Sequence, residues 1–160
     1  MKMQFKTLAF AIVAFAIVVM TGCDKADDNP SGGTDNGSLS LSDNGVSWTA
    51  GTVTAAHALG LITVSGEDDS DQEIIFLLPE TITTGTYNLP SEELGSLSIT
   101  YVTTANIPMY PVSGTLIITK HNTVTNEFEG TFNFEASPLS GTENVSVTNG
   151  KFDVKYDGAK

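Results

Sequence analysis

Few residues in this chain could act as nucleophiles or bases. It has one cysteine, Cys23, and two histidines, His57 and His121. Nucleophilic catalysis needs a base within hydrogen-bond reach of Ser, Thr or Cys, and the sequence contains no Gly-x-Ser-x-Gly segment. A zinc site uses several His or Cys ligands, which two isolated histidines cannot supply. We therefore predict no catalytic residues, with His121 solvated in a polar connection and His57 partly covered at a strand edge.

Carboxylates are far more numerous. Glu127, Glu129 and Glu135 share one face of a predicted strand, and a pair of carboxylates can hydrolyse a glycosidic bond. However, a regular acidic face on an outward strand surface is ordinarily just solvated. A hydrolase is therefore the third and weakest hypothesis.

Residues 67–73, "EDDSDQE", form a concentrated acidic turn. Calcium takes six to eight oxygen ligands, largely from carboxylates and carbonyls. The segment lacks the Asp-x-Asp-x-Asp-Gly loop, and the tip of a charged hairpin is commonly empty. We predict no metal site and no cofactor, and name Asp69 and Asp71 as the weak candidates for calcium.

Residues 107–111, "IPMYP", form an apolar segment bracketed by prolines. Exposed aromatic residues on rigid loops commonly bind sugars or peptides. The alternative is that Tyr110 folds back and caps the domain. If a ligand exists, we expect it to contact Tyr110 and Met109. Trp48 lies in an alternating strand and is expected in the core.

The N-terminal residues have the layout of a secretory signal peptide. Lys2 and Lys6 precede an apolar run at residues 8–20, and no acid occurs before Asp24. As a helix this run would reach only about 20 Å, whereas a bilayer core is about 30 Å thick. A permanent transmembrane helix is therefore the weaker interpretation.

Residues 20–23, "MTGC", resemble the lipobox of bacterial lipoproteins. The resemblance implies cleavage before Cys23 and attachment of lipid, including fatty acids such as palmitate, to that residue. Met20 departs from the usual leucine of the motif. The following residues 24–28, "DKADD", resemble the export signal of surface lipoproteins of Bacteroidota. This second resemblance implies the outer membrane with the protein facing the cell exterior; a periplasmic face is the alternative.

Composition sets aside one class of partner. Residues 23–160 hold five lysines, no arginine and 19 acids, a net charge of −14. Nucleic-acid binding needs clustered cationic groups, so we expect no nucleic-acid partner. Residues 29–38 are polar turn formers that behave as a flexible linker. The predicted organisation is a signal peptide at 1–22, a lipidated tether at 23–38 and one β domain at 39–160.

Apolar residues alternate with polar ones along most of the domain, which predicts strands. Residues 43–45, "DNG", predict a hairpin turn. In the strand at 127–135, Phe128, Phe132 and Phe134 share one face and the acids share the other. Residues 145–156 are predicted to form a closing hairpin that turns at 148–150. The fold class is all-β: an antiparallel β-sandwich, or alternatively a small closed β-barrel.

Segments such as "SGTLIITKHN", "FEGTFNFEA" and "VSVTNGKFDVKY" resemble a family of small Bacteroidota lipoproteins with a β-rich domain of unknown function. The resemblance covers roughly residues 46–156 and implies an all-β fold in the cell envelope. It brings no catalytic or binding residues. The predicted function is a lipid-anchored, non-catalytic binding module for a glycan, peptide or envelope protein. The alternative is a structural or accessory subunit of an envelope complex.

Overall fold

The computed structural model describes residues 36–91 and 97–157. Strands account for most of this part of the chain, and none of its residues is helical. The ten strands of the described residues, in chain order, are β1 (Gly37–Asp43), β2 (Val46–Thr49), β3 (Thr52–Ala58), β4 (Leu61–Glu67), β5 (Glu73–Pro79), β6 (Gly85–Leu89), β7 (Ser98–Val102), β8 (Pro108–Asn122), β9 (Glu127–Pro138) and β10 (Val145–Lys155).

All ten of these strands belong to one sheet. Its order is β2-β1-β10-β9-β8-β7-β5-β4-β3, and β6 pairs with β8 beside this path. Each pair of neighbouring strands is antiparallel. The prediction of an all-β antiparallel fold is therefore confirmed.

The sheet curls into a half-barrel around a single core. Phe76 on β5 and Phe152 on β10 have ring centroids 5.4 Å apart, although β7, β8 and β9 separate their strands in the sheet. Only a strongly curled sheet can bring such distant strands face to face. The result combines the facing walls of a sandwich with the continuous hydrogen bonding of a barrel.

The two outer strands of the sheet, β2 and β3, are consecutive in the chain. The Ala50 amide donates to the Leu39 carbonyl at 3.0 Å, and the next amide, Gly51, donates to the Glu67 carbonyl at 2.8 Å. Two successive residues between β2 and β3 therefore form hydrogen bonds with β1 and with β4, which lie near opposite edges of the sheet. Further along this seam, Ala56 and Asp157 form a parallel bridge. These contacts thus link the β1 and β10 side of the curled sheet to its β3 and β4 side.

The connections lie at two ends of the curled sheet. The upper end carries the β1–β2, β4–β5, β7–β8 and β9–β10 connections. The lower end carries the β3–β4, β5–β6 and β8–β9 connections, as well as the start of β1 and the end of β10.

The face pattern predicted for β9 is confirmed. Phe128, Phe132 and Phe134 are buried, with exposures of 0–2%, and Glu135 on the opposite face is exposed. Trp48 is also buried as predicted.

The predicted closing hairpin is wrong, because residues 145–155 form one strand. The β10–β9 register shifts between Val147 and Gly150, and Asn149 adopts a positive φ of 52°. The extra residues are absorbed as a bulge, after which the strand continues in the same direction. Turn-forming residues therefore mark a bulge at this point and not a reversal.

The apolar segment 107–111 is also not a loop, since β8 begins at Pro108. Proline is tolerated at the first residue of a strand and at bulges. Pro108 occupies the first position, and Pro111 adjoins a register shift before Ser113. Neither proline interrupts the strand.

Candidate binding groove

The upper end of the curled sheet carries an open groove of about 550 Å³. Its walls come from the β1–β2, β7–β8 and β9–β10 connections. A neighbouring hollow of about 450 Å³ shares Asp43, Asn44 and Thr104 with it and reaches Trp48. We refer to the two together as the upper groove.

The upper groove lies over a buried polar cluster. The Tyr101 hydroxyl donates to Asp43 Oδ2 at 2.7 Å, and the Gln72 side-chain amide donates to the same hydroxyl. Tyr101 is fully buried. Burial, followed by the hydrogen bond to Asp43, holds the pKa of Tyr101 well above its ordinary value. The phenol therefore stays protonated and acts as a hydrogen-bond donor.

One oxygen of this cluster lacks a partner. Asp43 Oδ1 is a buried atom without a hydrogen bond among the described residues, whereas Oδ2 accepts from both Tyr101 and Gln72, the latter at 3.3 Å. A buried acceptor without a donor lowers the stability of the fold. Asp43 lines both parts of the upper groove, so a donor that reached past the groove surface to Oδ1 would complete its hydrogen bonding.

The β4–β5 connection forms another wall of the upper groove. Asp68 Oδ1 accepts from the amides of Ser70 and Gln72 at 2.9 and 3.1 Å, and Oδ2 accepts from Trp48 Nε1 at 2.8 Å. Slight burial alone would raise the pKa of Asp68, but these hydrogen bonds, led by those from Ser70, hold it below its ordinary value. Asp68 therefore holds the β4–β5 turn in place through these hydrogen bonds.

The upper end is strongly acidic. Glu67, Asp71 and Glu73 line a further hollow of about 390 Å³. Burial, followed by repulsion from Glu67, raises the pKa of Glu73. No lysine belongs to the described upper-end connections. This surface therefore favours neutral or cationic ligands over anionic ones.

The structure separates Tyr110 from Met109. Met109 is buried at 3% exposure and lines the upper groove. Tyr110, the next residue of β8, is half-buried and lines a small outer hollow of about 190 Å³ with Leu89 and Pro90. Successive residues of a strand point to opposite faces, so the two predicted ligand contacts do not form one site.

The weak calcium candidates, Asp69 and Asp71, are exposed at the β4–β5 turn. Asp71 adopts a positive φ of 60°. Within residues 36–91 and 97–157, no group of three or more His, Cys, Asp or Glu is placed to hold a metal ion.

The two histidines lie at the lower end, where the ring of each packs against Tyr156. His121 is half-buried in β8 and not solvated in a connection as expected. Its Nδ1 bonds the Ile82 carbonyl at 2.7 Å and its Nε2 bonds the Tyr156 hydroxyl at 3.1 Å. A carbonyl can only accept, so Nδ1 donates to Ile82, and Nε2 forms the hydrogen bond with the Tyr156 hydroxyl. His57 is partly covered, as predicted, and contacts Glu80 at 2.5 Å.

The outward carboxylates of β9 are engaged by a lysine. Lys120 Nζ lies 3.2 Å from Glu127 and 3.0 Å from Glu129. A hydrogen bond from Thr125, and then one from Lys120, lowers the pKa of Glu127. Glu135 instead accepts from the Ser146 hydroxyl at 2.6 Å. Glu127 and Glu129 therefore share Lys120, whereas Glu135 has a separate partner.

The Asp43–Tyr101–Gln72 cluster was missed at the level of sequence, although one signal for it exists. Leu97, Ile99 and Tyr101 alternate with polar residues, which indicates one apolar strand face, and a buried tyrosine hydroxyl usually needs a polar partner. The sequence could not identify that partner, because 58 residues separate Tyr101 from Asp43. Cys23 lies outside the described residues.

A curled antiparallel sheet with a polar groove at one end defines this chain as a small all-β domain. The chain belongs to the family described as Domain of unknown function (DUF6252), whose profile matches residues 35–154. No curated protein and no solved structure matches the chain. In the part of the chain that the structure describes, no helix has the length and apolar character to cross a membrane.

Proposed function

We propose that this protein is a lipid-anchored binding module of the outer membrane surface, and that its ligand occupies the upper groove. The observation that carries the proposal is the unpartnered Asp43 Oδ1 beneath that groove. A structural protein gains nothing from a buried acceptor without a donor, whereas a binding protein can use it to select a ligand.

The anchor is supported by the sequence. Cys23 follows an apolar run and a lipobox-like segment, and it is the single cysteine of the chain. One acyl chain gives only marginal membrane binding, with about 0.8 kcal/mol per buried CH₂, and several chains give stable anchoring. The acidic residues that follow support display at the cell surface.

The end at which the chain enters the domain supports a ligand that approaches from the medium. The chain enters β1 at the lower end, where the Lys155 amide donates to the Asn36 carbonyl at 2.8 Å. The upper groove lies at the other end of the sheet. A tether that leads from Cys23 to β1 would therefore leave the groove facing away from the membrane.

The ligand class follows from the polarity of the groove. Asp43 supplies an acceptor, and the surrounding carboxylates disfavour anions. The groove also offers an apolar contact with Ile107, which is 41% exposed and lies beside buried Met109 in its lining. These features suit a ligand rich in hydroxyl or amino donors, such as an oligosaccharide or a lysine-containing peptide.

The anchor is tested by metabolic labelling with an alkyne-tagged palmitate probe. We expect the full-length protein to incorporate the probe and Cys23→Ala to lose it. Cys23→Ala should also leave the membrane fraction. Probe incorporation that persists in Cys23→Ala would refute the anchor.

The groove is tested by screening the purified protein against an oligosaccharide array and a library of lysine- and arginine-containing peptides. Thr104 is exposed and lines both parts of the upper groove, so Thr104→Tyr should block it. We expect affinity for any hit to fall at least about tenfold, or about 1.4 kcal/mol. Thr123→Tyr, at an exposed lower-end turn, is the matched control.

Two outcomes would argue against binding in the upper groove. If Thr104→Tyr binds normally and Tyr110→Ala binds poorly while still folded, the ligand occupies the outer hollow. If Thr104→Tyr and Thr123→Tyr weaken binding equally, the effect is not specific to the upper groove.

One observation favours the second candidate, an accessory subunit of an envelope complex. Val46, Ile107 and Leu139 belong to the upper end and are 70%, 41% and 88% exposed. Exposed apolar residues at one end of a domain can contact a protein partner. Crosslinking in intact cells distinguishes this role, because a subunit would be captured with one partner in the absence of any added glycan or peptide.

A further inference from the structure

Two hairpins at the lower end present apolar residues to solvent. Leu59 lies in the β3–β4 turn and is 89% exposed, and Val124 lies in the β8–β9 turn and is 91% exposed. We call these two residues the lower tips. Single exposed apolar residues are common on protein surfaces, so the lower tips need further support before they indicate a contact.

The backbone at Leu59 supplies the first support. Leu59 and Gly60 have φ angles of 54° and 79°, nearly those of Asn44 and Gly45 at 47° and 86° in the β1–β2 turn. Asparagine tolerates this left-handed conformation, whereas a bulky apolar residue is disfavoured there. The chain therefore has leucine at a position where asparagine would be less strained.

The turn that carries Val124 is held in place. The Asn122 side chain accepts from the amides of Val124 and Thr125 at 2.9 and 3.1 Å. This arrangement fixes the backbone of the hairpin, on which the Val124 side chain is exposed. Both lower tips are thus presented by ordered turns.

The path of the chain indicates what these turns face. Thirteen residues lead from Cys23 to Asn36, since 36 − 23 = 13. As the flexible linker that their composition predicts, these residues would typically span about 20 Å, with a fully extended reach of about 45 Å. Because the chain enters β1 at the lower end, a lipid on Cys23 would keep this end close to the membrane.

The distribution of charge favours the same orientation. The described lower end carries both signs of charge, with Lys120 and Lys155 as well as Glu80, Glu127 and Asp157. The described upper-end connections carry carboxylates without lysine, so an anionic lipid surface would repel that end more strongly.

We propose that the lower end docks on the lipid surface, with Leu59 and Val124 inserted among the headgroups. This inference rests on the proposed anchoring through Cys23 and adds a second contact with the same membrane. The docking fixes the orientation of the domain, so that the upper groove points away from the bilayer.

The test uses the full-length, lipid-anchored protein in vesicles of phosphatidylethanolamine and phosphatidylglycerol. Leu59→Cys, Val124→Cys and Leu139→Cys are each labelled with an environment-sensitive dye. Leu139, at the upper end, is 88% exposed and is the matched control. Nitroxide-labelled phospholipids should quench the dye at positions 59 and 124, but not at 139.

A second variant separates membrane contact from folding. Leu59→Asn suits the local backbone, so its melting temperature should be equal to or higher than that of the parent. The same substitution should reduce lipid quenching of a dye at position 124. A large loss of stability in Leu59→Asn would mean that Leu59 has a structural role and would overturn the proposal.

The remaining outcomes also decide the matter. If Cys23 incorporates the palmitate probe but all three dyes remain in water, docking is refuted and the anchored binding module stands. A blue-shifted dye at position 59 that lipid nitroxides do not quench would mean that another protein molecule covers this end, which also refutes docking. If Cys23 carries no lipid, the proposed function and the docking both fail.

Discussion

Gly150 lies beneath an aromatic ring, and this contact predicts the effect of adding one methyl group. Gly150 pairs with Phe132, and on the same two strands Phe152 pairs with Gly130. A Cβ atom on Gly150 would overlap the Phe132 ring, with Cγ only 2.6 Å away. Gly150 does not have the positive φ that would strain an alanine. The cost of Gly150→Ala should therefore be steric.

Overpacking of this kind costs about 1–3 kcal/mol of unfolding free energy. For a domain of this size, 1 kcal/mol corresponds to about 4 °C in Tm, so Gly150→Ala should melt about 4–12 °C below the parent. Gly51→Ala is the control, because its added Cβ would have no neighbour closer than 3.7 Å. It should change the unfolding free energy by less than about 0.5 kcal/mol.

A double-mutant cycle identifies the cause of the loss. Phe132→Leu removes part of the obstructing ring, so Gly150→Ala should cost less in that background, by at least about 1 kcal/mol. Urea unfolding of the four proteins measures this interaction. Additive losses, or a Gly150→Ala variant as stable as Gly51→Ala, would contradict the single strand β10 and favour a turn at Gly150.

Three further predictions concern the upper end. Asp68→Asn should lower the unfolding free energy by about 1 kcal/mol at pH 7, a modest value because the carboxylate is only partly buried. Since the pKa of Asp68 is lowered from 3.8 on folding, its contribution to stability is present above about pH 4 and is lost as the pH falls through the folded pKa. Urea unfolding across pH should therefore show the unfolding free energies of the parent and Asp68→Asn converging at low pH. A difference that stays constant with pH would contradict this reasoning. Tyr101→Phe should lower the unfolding free energy by about 1–3 kcal/mol because it breaks the buried cluster. The Tyr87 hydroxyl bonds an exposed turn, so Tyr87→Phe should lower it by less in the same assay. Equal losses would argue against the cluster. Millimolar calcium should leave Tm unchanged, whereas a site saturated at 100 times its Kd would add about 2.7 kcal/mol; a calcium-dependent rise that disappears in Asp69→Asn with Asp71→Asn would refute the absence of a metal site.

The strands were predictable because their signals are local. Alternation of apolar and polar residues placed Phe128 and Phe132 on one face of β9, and Asn44-Gly45 marked a true turn. The same signals failed at Asn149-Gly150, where the chain continues. A turn and a bulge both use residues that tolerate positive φ, and only the pairing with β9 and β1 distinguishes them.

The candidate site was much less predictable. Asp43, Gln72 and Tyr101 are unremarkable in their own segments, and they meet only because the sheet curls. Tyr110 drew attention as an aromatic residue between prolines, a pattern that is typical of loops. It lies on a strand because Pro108 and Pro111 occupy positions where a strand does not need their missing N–H groups.

The position of β10 in the sheet determines the order in which this domain can be completed. β10 lies between β1 and β9, and the Asn36 side chain bonds Lys155 across 119 residues of sequence. Contacts between such distant segments form slowly. Until residues 145–155 have been synthesised, both β1 and β9 have an unpaired edge. Exposed strand edges promote aggregation. The domain therefore finishes folding only after β10 has been synthesised.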